Sequence, residues 1–141
     1  MPDESTTPDL EEAGRRLREA ISRRDLDAVV AMYAPDAVFD PSLLGLEGVF
    51  KGRDAIRGVY EVLIAPYEEL EYALEEFRDL GNGVVLTVAL TRSRPKGSNH
   101  FIDGRAVLVT TWANGLIARV TWYTDIDEAR AAAERLAQER G

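Results

Sequence analysis

Asp40 is the residue best placed to do chemistry. It follows the apolar triplet Ala37-Val38-Phe39 and precedes Pro41. A carboxylate at the end of an apolar strand can move a proton on a carbon acid when its surroundings raise its pKa. The same dipeptide also makes an ordinary turn, because aspartate before proline favours chain reversal. Arg105 is the second candidate, able to pair with Asp40 or to hold a ligand carboxylate, phosphate or enolate oxygen. A pairing would lower the Asp40 pKa and weaken proton abstraction. At the start of its strand, Arg105 can equally rest with its head in water. Other chemistries lack their residues. The chain has no cysteine and a single histidine, His100, so it offers no thiol nucleophile and no histidine-pair metal site. The acids from Glu68 to Glu76 show no calcium-loop spacing. Gly52-Arg53-Asp54 lacks the phosphate-loop pattern and reads as a helix start. Neither metal nor cofactor is expected.

These residues must be positioned by one domain. The chain has 141 residues, 45% of them hydrophobic, enough for a single core. A tail over 1–7 and one domain over 8–141 are expected. Thr7 and Pro8 suggest a helix start, and Leu10, Ala13, Leu17, Ala20 and Ile21 share one stripe. Asp25 opens a shorter helix through Tyr33 that stops at Ala34-Pro35. A third helix begins near Gly52-Arg53-Asp54 and carries Ile56, Val59, Tyr60, Leu63 and Ile64, with Pro66 behind it. The period then changes from 3.6 to 2. Gly81-Asn82-Gly83 turns the chain into Val84–Arg92, whose even positions are large and apolar. Asn114-Gly115 joins two more strands as a hairpin. Asp125 or Asp127 starts an alanine-rich last helix. Helices, then long strands, then a helix predict an α+β fold.

Partners can be narrowed by charge. The net charge is −8, and Arg15, Arg16 and Arg18 stand among Glu11, Glu12 and Glu19 as a solvated helix face. Phosphates would meet net repulsion, so nucleic acid is not expected. No apolar run nears the ~18 residues of a membrane span, and the acidic N-terminus is unlike a signal peptide. A cytoplasmic location with no membrane partner is the expectation.

A direct two-residue hairpin pairs Ala113 with Leu116, Thr111 with Ala118, Val109 with Val120, Val107 with Trp122 and Arg105 with Thr124. The other face carries Trp112, Arg119 and Tyr123. Both faces hold large side chains, so both are expected to be covered, one by helices and the other by a second subunit.

Arg24-Asp25-Leu26-Asp27-Ala28-Val29-Val30, running on to Ala34-Pro35-Asp36-Ala37-Val38-Phe39, resembles the opening of nuclear transport factor 2-like, SnoaL-like proteins. Phe50-Lys51-Gly52-Arg53-Asp54-Ala55-Ile56 and the hairpin from Trp112 to Tyr123 with its alanine-rich helix are similar to them too. The resemblance spans about residues 10–137. It implies a cone-shaped α+β barrel, with N-terminal helices on a strongly curved antiparallel sheet around one apolar pocket, commonly in a homodimer. It also implies that Asp40 stands where the isomerases of this superfamily carry their general base. The donors those isomerases use align with Leu17 and Val107, which cannot donate. With the hairpin pairing, it implies a pocket walled by Leu17, Tyr33, Val59, Tyr60, Leu86, Val88, Val107, Val109, Thr111, Val120 and Trp122. The implied function is a small-molecule pocket protein. It would be a cofactor-independent isomerase or cyclase acting on an apolar carbonyl compound through Asp40 and Arg105. The alternatives are a non-catalytic binding module for an apolar metabolite and a dimeric interaction domain.

Overall fold

The computed structural model describes residues 9–41 and 48–141. The proposed cap Thr7-Pro8, the tail and part of the glycine-rich loop before Gly52 lie outside the described residues. Helix α1 spans Leu10–Ser22 and is capped by Asp9, whose carboxylate accepts from the Glu12 backbone N–H. Glu11 and Glu12 in its first turn suit the positive end of the helix dipole. Asp25 caps α2 (Leu26–Ala31) by accepting from the Ala28 N–H. Helix α2 stops sooner than the proline boundary suggests, because strand β1 (Tyr33–Asp40) begins at once. Tyr33 is therefore a strand residue. Pro35 lies inside β1, where the ladder to its neighbour is irregular between Tyr33 and Val38, as a residue without an N–H requires.

A two-residue strand, β2 (Phe50–Lys51), leads into α3 (Arg53–Ile64). Arg53 Nε donates to the Tyr33 carbonyl at 2.8 Å, so Arg53 ties a helix to a strand. The long strands β3 (Tyr67–Gly81), β4 (Val84–Pro95), β5 (Ile102–Ala113) and β6 (Leu116–Tyr123) follow, and α4 (Ile126–Arg140) ends the chain with Asp125 as its cap.

The strand order is β2-β1-β6-β5-β4-β3. All neighbours are antiparallel except β1 and β6, which run parallel, so the sheet is mixed. Three irregularities in β3, after Tyr67, Leu74 and Asp79, bend it.

The β5–β6 register corrects the expected one. Asn114 and Gly115 both have positive φ, 55° and 79°, the geometry of a two-residue hairpin turn, and Ala113 does face Leu116. A bulge then intervenes, and Thr111 pairs with Arg119 instead of Ala118. Beyond it Val109 faces Thr121, Leu108 faces Trp122 and Val107 faces Tyr123. A one-residue slip moves a side chain to the other face of the sheet. Hence Ala106, Leu108, Thr110 and Trp112 share the inner face with Val120 and Trp122, while Arg105, Val107, Val109 and Thr111 turn outward. Strand β4 follows: Leu86 opposes Val109 and Val88 opposes Val107, whereas Val85, Thr87 and Ala89 oppose Thr110, Leu108 and Ala106.

Two apolar cores result. The inner one lies between the sheet and α1–α3 and holds Ile21, Val29, Tyr33, Phe39, Ile56, Tyr60 and Trp112. The outer one lies beneath α4, where Ala129, Ala133 and Ala137 pack on Val84, Leu86, Val88, Val107 and Val109. Alanines at every fourth position give α4 a small-residue stripe that lets it approach the sheet closely. The outer face is thus covered in part by the chain's own last helix. Arg140 and Asn82 lock that helix down: Arg140 Nη2 donates to the Trp112 carbonyl and Asn82 Nδ2 to the Ala137 carbonyl. Gly83, at φ 79°, is required there, since a Cβ would clash with the Trp112 carbonyl oxygen.

Candidate functional site

A cavity of about 230 Å³ lies between α1, α3 and the inner face of the sheet. Each element contributes by its own period. Helix α1 presents Leu10, Gly14, Leu17, Arg18 and Ile21, which recur every three or four residues. Strand β4 presents Val85, Thr87, Ala89, Thr91 and Ser93, which alternate. Strand β5 adds Ala106, Leu108, Thr110 and Trp112, and β6 adds Ile117, Val120 and Trp122. Small residues on β4 and at Ala106 leave space that large ones would fill.

Among the described residues that line it, Arg18 is the one charged side chain. The other polar groups are hydroxyls and the tryptophan N–H groups. The hydroxyl oxygens of Tyr33 and Tyr60 lie 2.6 Å apart in a buried hydrogen bond. The Tyr60 ring also meets Phe39 edge-on at 5.6 Å, and Phe39 packs against Trp122 at 6.1 Å. Trp122 Nε1 is buried without a hydrogen-bond partner among the described residues.

Burial raises the pKa of Tyr33 and of Tyr60 above the ordinary phenol range, and pushes Tyr72 up to about 12. These phenols hold their protons longer in the native state than in the unfolded chain. Their contribution to stability is complete below the unfolded phenol pKa of about 10 and falls as pH climbs through the native values. Urea unfolding at pH 7, 9 and 11 is expected to show nearly constant phenol-linked stability between the first two and a loss at the third. That loss becomes smaller in Tyr33→Phe.

The structure places the expected residues in two groups. Leu17, Tyr33, Tyr60, Val120 and Trp122 line the cavity. Val59 is buried in the same core without lining it. Leu86, Val88, Val107 and Val109 belong to the core under α4, a correction that follows from the bulge. Thr111 lies on that outer face as well, beside Asp40.

Asp40 and Arg105 are not brought together. Phe39 points into the inner core, so Asp40, next along the strand, points outward. There Arg119 Nη2 donates to Asp40 Oδ2 at 2.7 Å, in a shallow groove with Thr121, Tyr123 and α4. Arg105 pairs instead with Glu75 on the surface. The Asp40 side chain is only 13% exposed while Arg119 is 43% exposed, so solvent screens part of the attraction. Asp40→Asn is expected to lower stability by about 1–2 kcal/mol, read as a lower urea midpoint, with binding in the inner cavity unchanged.

The lining residues that sequence reading missed include Arg18, Thr87, Ala89, Ala106, Leu108, Thr110 and Trp112. A signal for them was present: β4 alternates large apolar residues with small or hydroxylated ones. Of the large ones, Val84, Leu86 and Val88 pack under α4 while Leu90 is exposed, and the small ones surround the hollow.

Among the described residues no three His, Cys, Asp or Glu side chains cluster to hold a metal ion. Among them, no helix is long and apolar enough to cross a membrane.

Among curated proteins none matches the chain significantly. Many solved structures share the fold. A protein of unknown function from Burkholderia pseudomallei, described as NTF2-like, superposes with a TM-score of 0.70 at 24% identity, over 86% of this chain and 95% of that one. A Mycobacterium tuberculosis protein in complex with estradiol-17beta-hemisuccinate has a TM-score of 0.68 at 20% identity, over 83% and 94%. A Catenulispora acidiphila protein with a ketosteroid isomerase-like fold, in complex with trimethylamine, has a TM-score of 0.70 at 16% identity, over 91% and 94%. The model of the SnoaL-like domain matches residues 14–120, from the middle of α1 to the cavity-lining Val120. The chain therefore belongs to the SnoaL-like family, with the NTF2-like α+β fold.

Proposed function

We propose that this protein binds an apolar small molecule in the inner cavity. One observation carries the reading: a cavity of about 230 Å³ whose described lining is aliphatic, aromatic and hydroxylated, with Arg18 as its one charge. Apolar walls with a few polar points are what ligand sites offer. No carboxylate or imidazole is among those lining residues, which favours binding over proton transfer by a general base. The steroid frame of the hemisuccinate in the Mycobacterium tuberculosis relative supports a ligand with an apolar body.

The test uses the protein's own reporters. Both tryptophans of the chain, Trp112 and Trp122, line the cavity. Titration with the neutral dye N-phenyl-1-naphthylamine is expected to give saturable energy transfer from tryptophan and a higher melting temperature. Neither effect at any dye concentration would overturn the reading. A homodimer through the outer face beside α4 belongs to the same proposal, supported by the part-exposed Arg119, Thr121 and Tyr123 there. A monomer by light scattering at micromolar concentration counts against it.

A further inference from the structure

We propose that Arg18 anchors an anionic group of the ligand, so that the preferred ligands are apolar acids: a body that fills the cavity and a carboxylate or sulfonate held at Arg18. This rests on the cavity-binding reading and names its ligand class. Arg18 lines the cavity and also the outer groove between α1 and β3, and Tyr72 does the same. It therefore stands at the seam between apolar interior and solvent, where an amphiphilic molecule would change character.

Two observations set Arg18 apart from its neighbours. Among the described residues it makes no hydrogen bond and no ion pair, whereas Arg15 bridges Glu12 and Glu19, and Arg23 also reaches Glu19. Partial burial without a fixed partner lowers its pKa, with Glu11 opposing the shift at longer range and Arg15 adding to it. Arg18 is half-buried, and none of its nitrogens is among the fully buried side-chain atoms without a partner, so water meets its donors now and an anion would replace that water on several at once. Of the four acids of the groove, Asp9 caps α1, Glu12 and Glu19 are held by Arg15, and Glu11 acts on Arg18 through space without a hydrogen bond or ion pair to it.

The second observation is Gly14. Glycine inside a helix costs about 1 kcal/mol relative to alanine, and Gly14 sits in the interior of α1 without a positive φ to require it. A Cβ there would come 3.3 Å from Arg18 Nη1. The guanidinium folds back over the helix at the one position that has no side chain, beside the cavity wall. The missing Cβ leaves the head room at the cavity.

The experiment compares two dyes of similar shape, 1-anilinonaphthalene-8-sulfonate and the neutral N-phenyl-1-naphthylamine. They are titrated into wild type, Arg18→Gln, Arg18→Lys and Gly14→Ala. Arg18→Gln is expected to weaken the sulfonate about tenfold or more and to leave the neutral dye within about twofold. Arg18→Lys recovers part of the loss, which separates charge from packing. Gly14→Ala raises the melting temperature by roughly 3 °C and weakens the sulfonate more than the neutral dye. Equal weakening of both dyes by Arg18→Gln would make Arg18 a packing residue and overturn the proposal, leaving cavity binding intact. So would a sulfonate affinity that ignores the substitution. Failure of wild type to bind even the neutral dye overturns both this proposal and the reading beneath it.

Discussion

Ala106→Phe is expected to abolish binding in the inner cavity while leaving the protein folded. Ala106 and Ala89 oppose each other across β4 and β5, both buried and both lining the hollow. A phenyl ring at Ala106 has one direction to grow, into the cavity of about 230 Å³. Inserting a large side chain into a packed core costs about 1–3 kcal/mol, but here the space exists, and the ring buries apolar area as it fills it. The melting temperature is therefore expected to hold or rise. Affinity for N-phenyl-1-naphthylamine is expected to fall about a hundredfold, about 2.8 kcal/mol, in the tryptophan energy-transfer titration. Unchanged affinity would put the ligand elsewhere, in the outer groove at Asp40 and Arg119 or in the one between α1 and β3. Val107→Ala is the matching control, because Val107 belongs to the core under α4. It should lower stability and leave dye affinity alone, the reverse of Ala106→Phe.

The second large effect is on stability. Phe39→Ala is expected to cost about 3–5 kcal/mol. Phe39 is fully buried, with its ring edge-on to Tyr60 and tilted against Trp122. It joins α3, β1 and β6 at one point. Its removal forfeits the transfer energy of a whole ring, the contacts of two aromatic neighbours and the cost of the void. Single domains of this size have net stabilities of about 5–15 kcal/mol, so the variant should approach the threshold of folding. Urea unfolding should show a sharply lower midpoint at an unchanged slope. Phe39→Leu, which keeps most of the volume, should recover much of the difference.

The fold was largely legible because its signals are local. Asp25 and Asp125 cap helices, Asn114-Gly115 turns a hairpin, and the change of period after Pro66 separates helix from strand. Each depends on neighbours in the chain. The wall of the cavity was less legible because it depends on one bulge. Ala118 sits opposite no partner of its own, and nothing in Leu116-Ile117-Ala118-Arg119-Val120 distinguishes it from a paired residue. That single extra residue reversed Val107, Val109 and Thr111 against Val120 and Trp122, and it carried Arg105 outward as well. The outward turn of Asp40 has another source: Phe39 takes the inner position, and alternation leaves its neighbour the outer one. Size was the second misleading cue. Large apolar side chains on β4 suggested a pocket wall, yet a hollow is bordered by residues that fail to fill it, and the large ones went to the face that α4 covers. Arg18 was read as part of a solvated charge run, and only the packing of α1 against the sheet distinguishes it from Arg15 and Arg16.

The parallel pairing of β1 with β6 has a bearing on how the molecule is made. Residues 38–40 find their partners at Arg119, Val120 and Thr121, separated by about eighty positions in the chain. Contacts so distant slow folding, since a long loop must close before they form. On the ribosome, α1, α2 and β1 emerge well before the strand that β1 will join. Phe39 and Tyr33 can meet Tyr60 of α3 earlier, but their partners on β6 stay missing until that strand follows. The inner cavity is not complete in any nascent fragment that ends before Trp122. A ligand can stabilise only the finished chain, and the interval before β6 arrives is when this sequence is most open to aggregation.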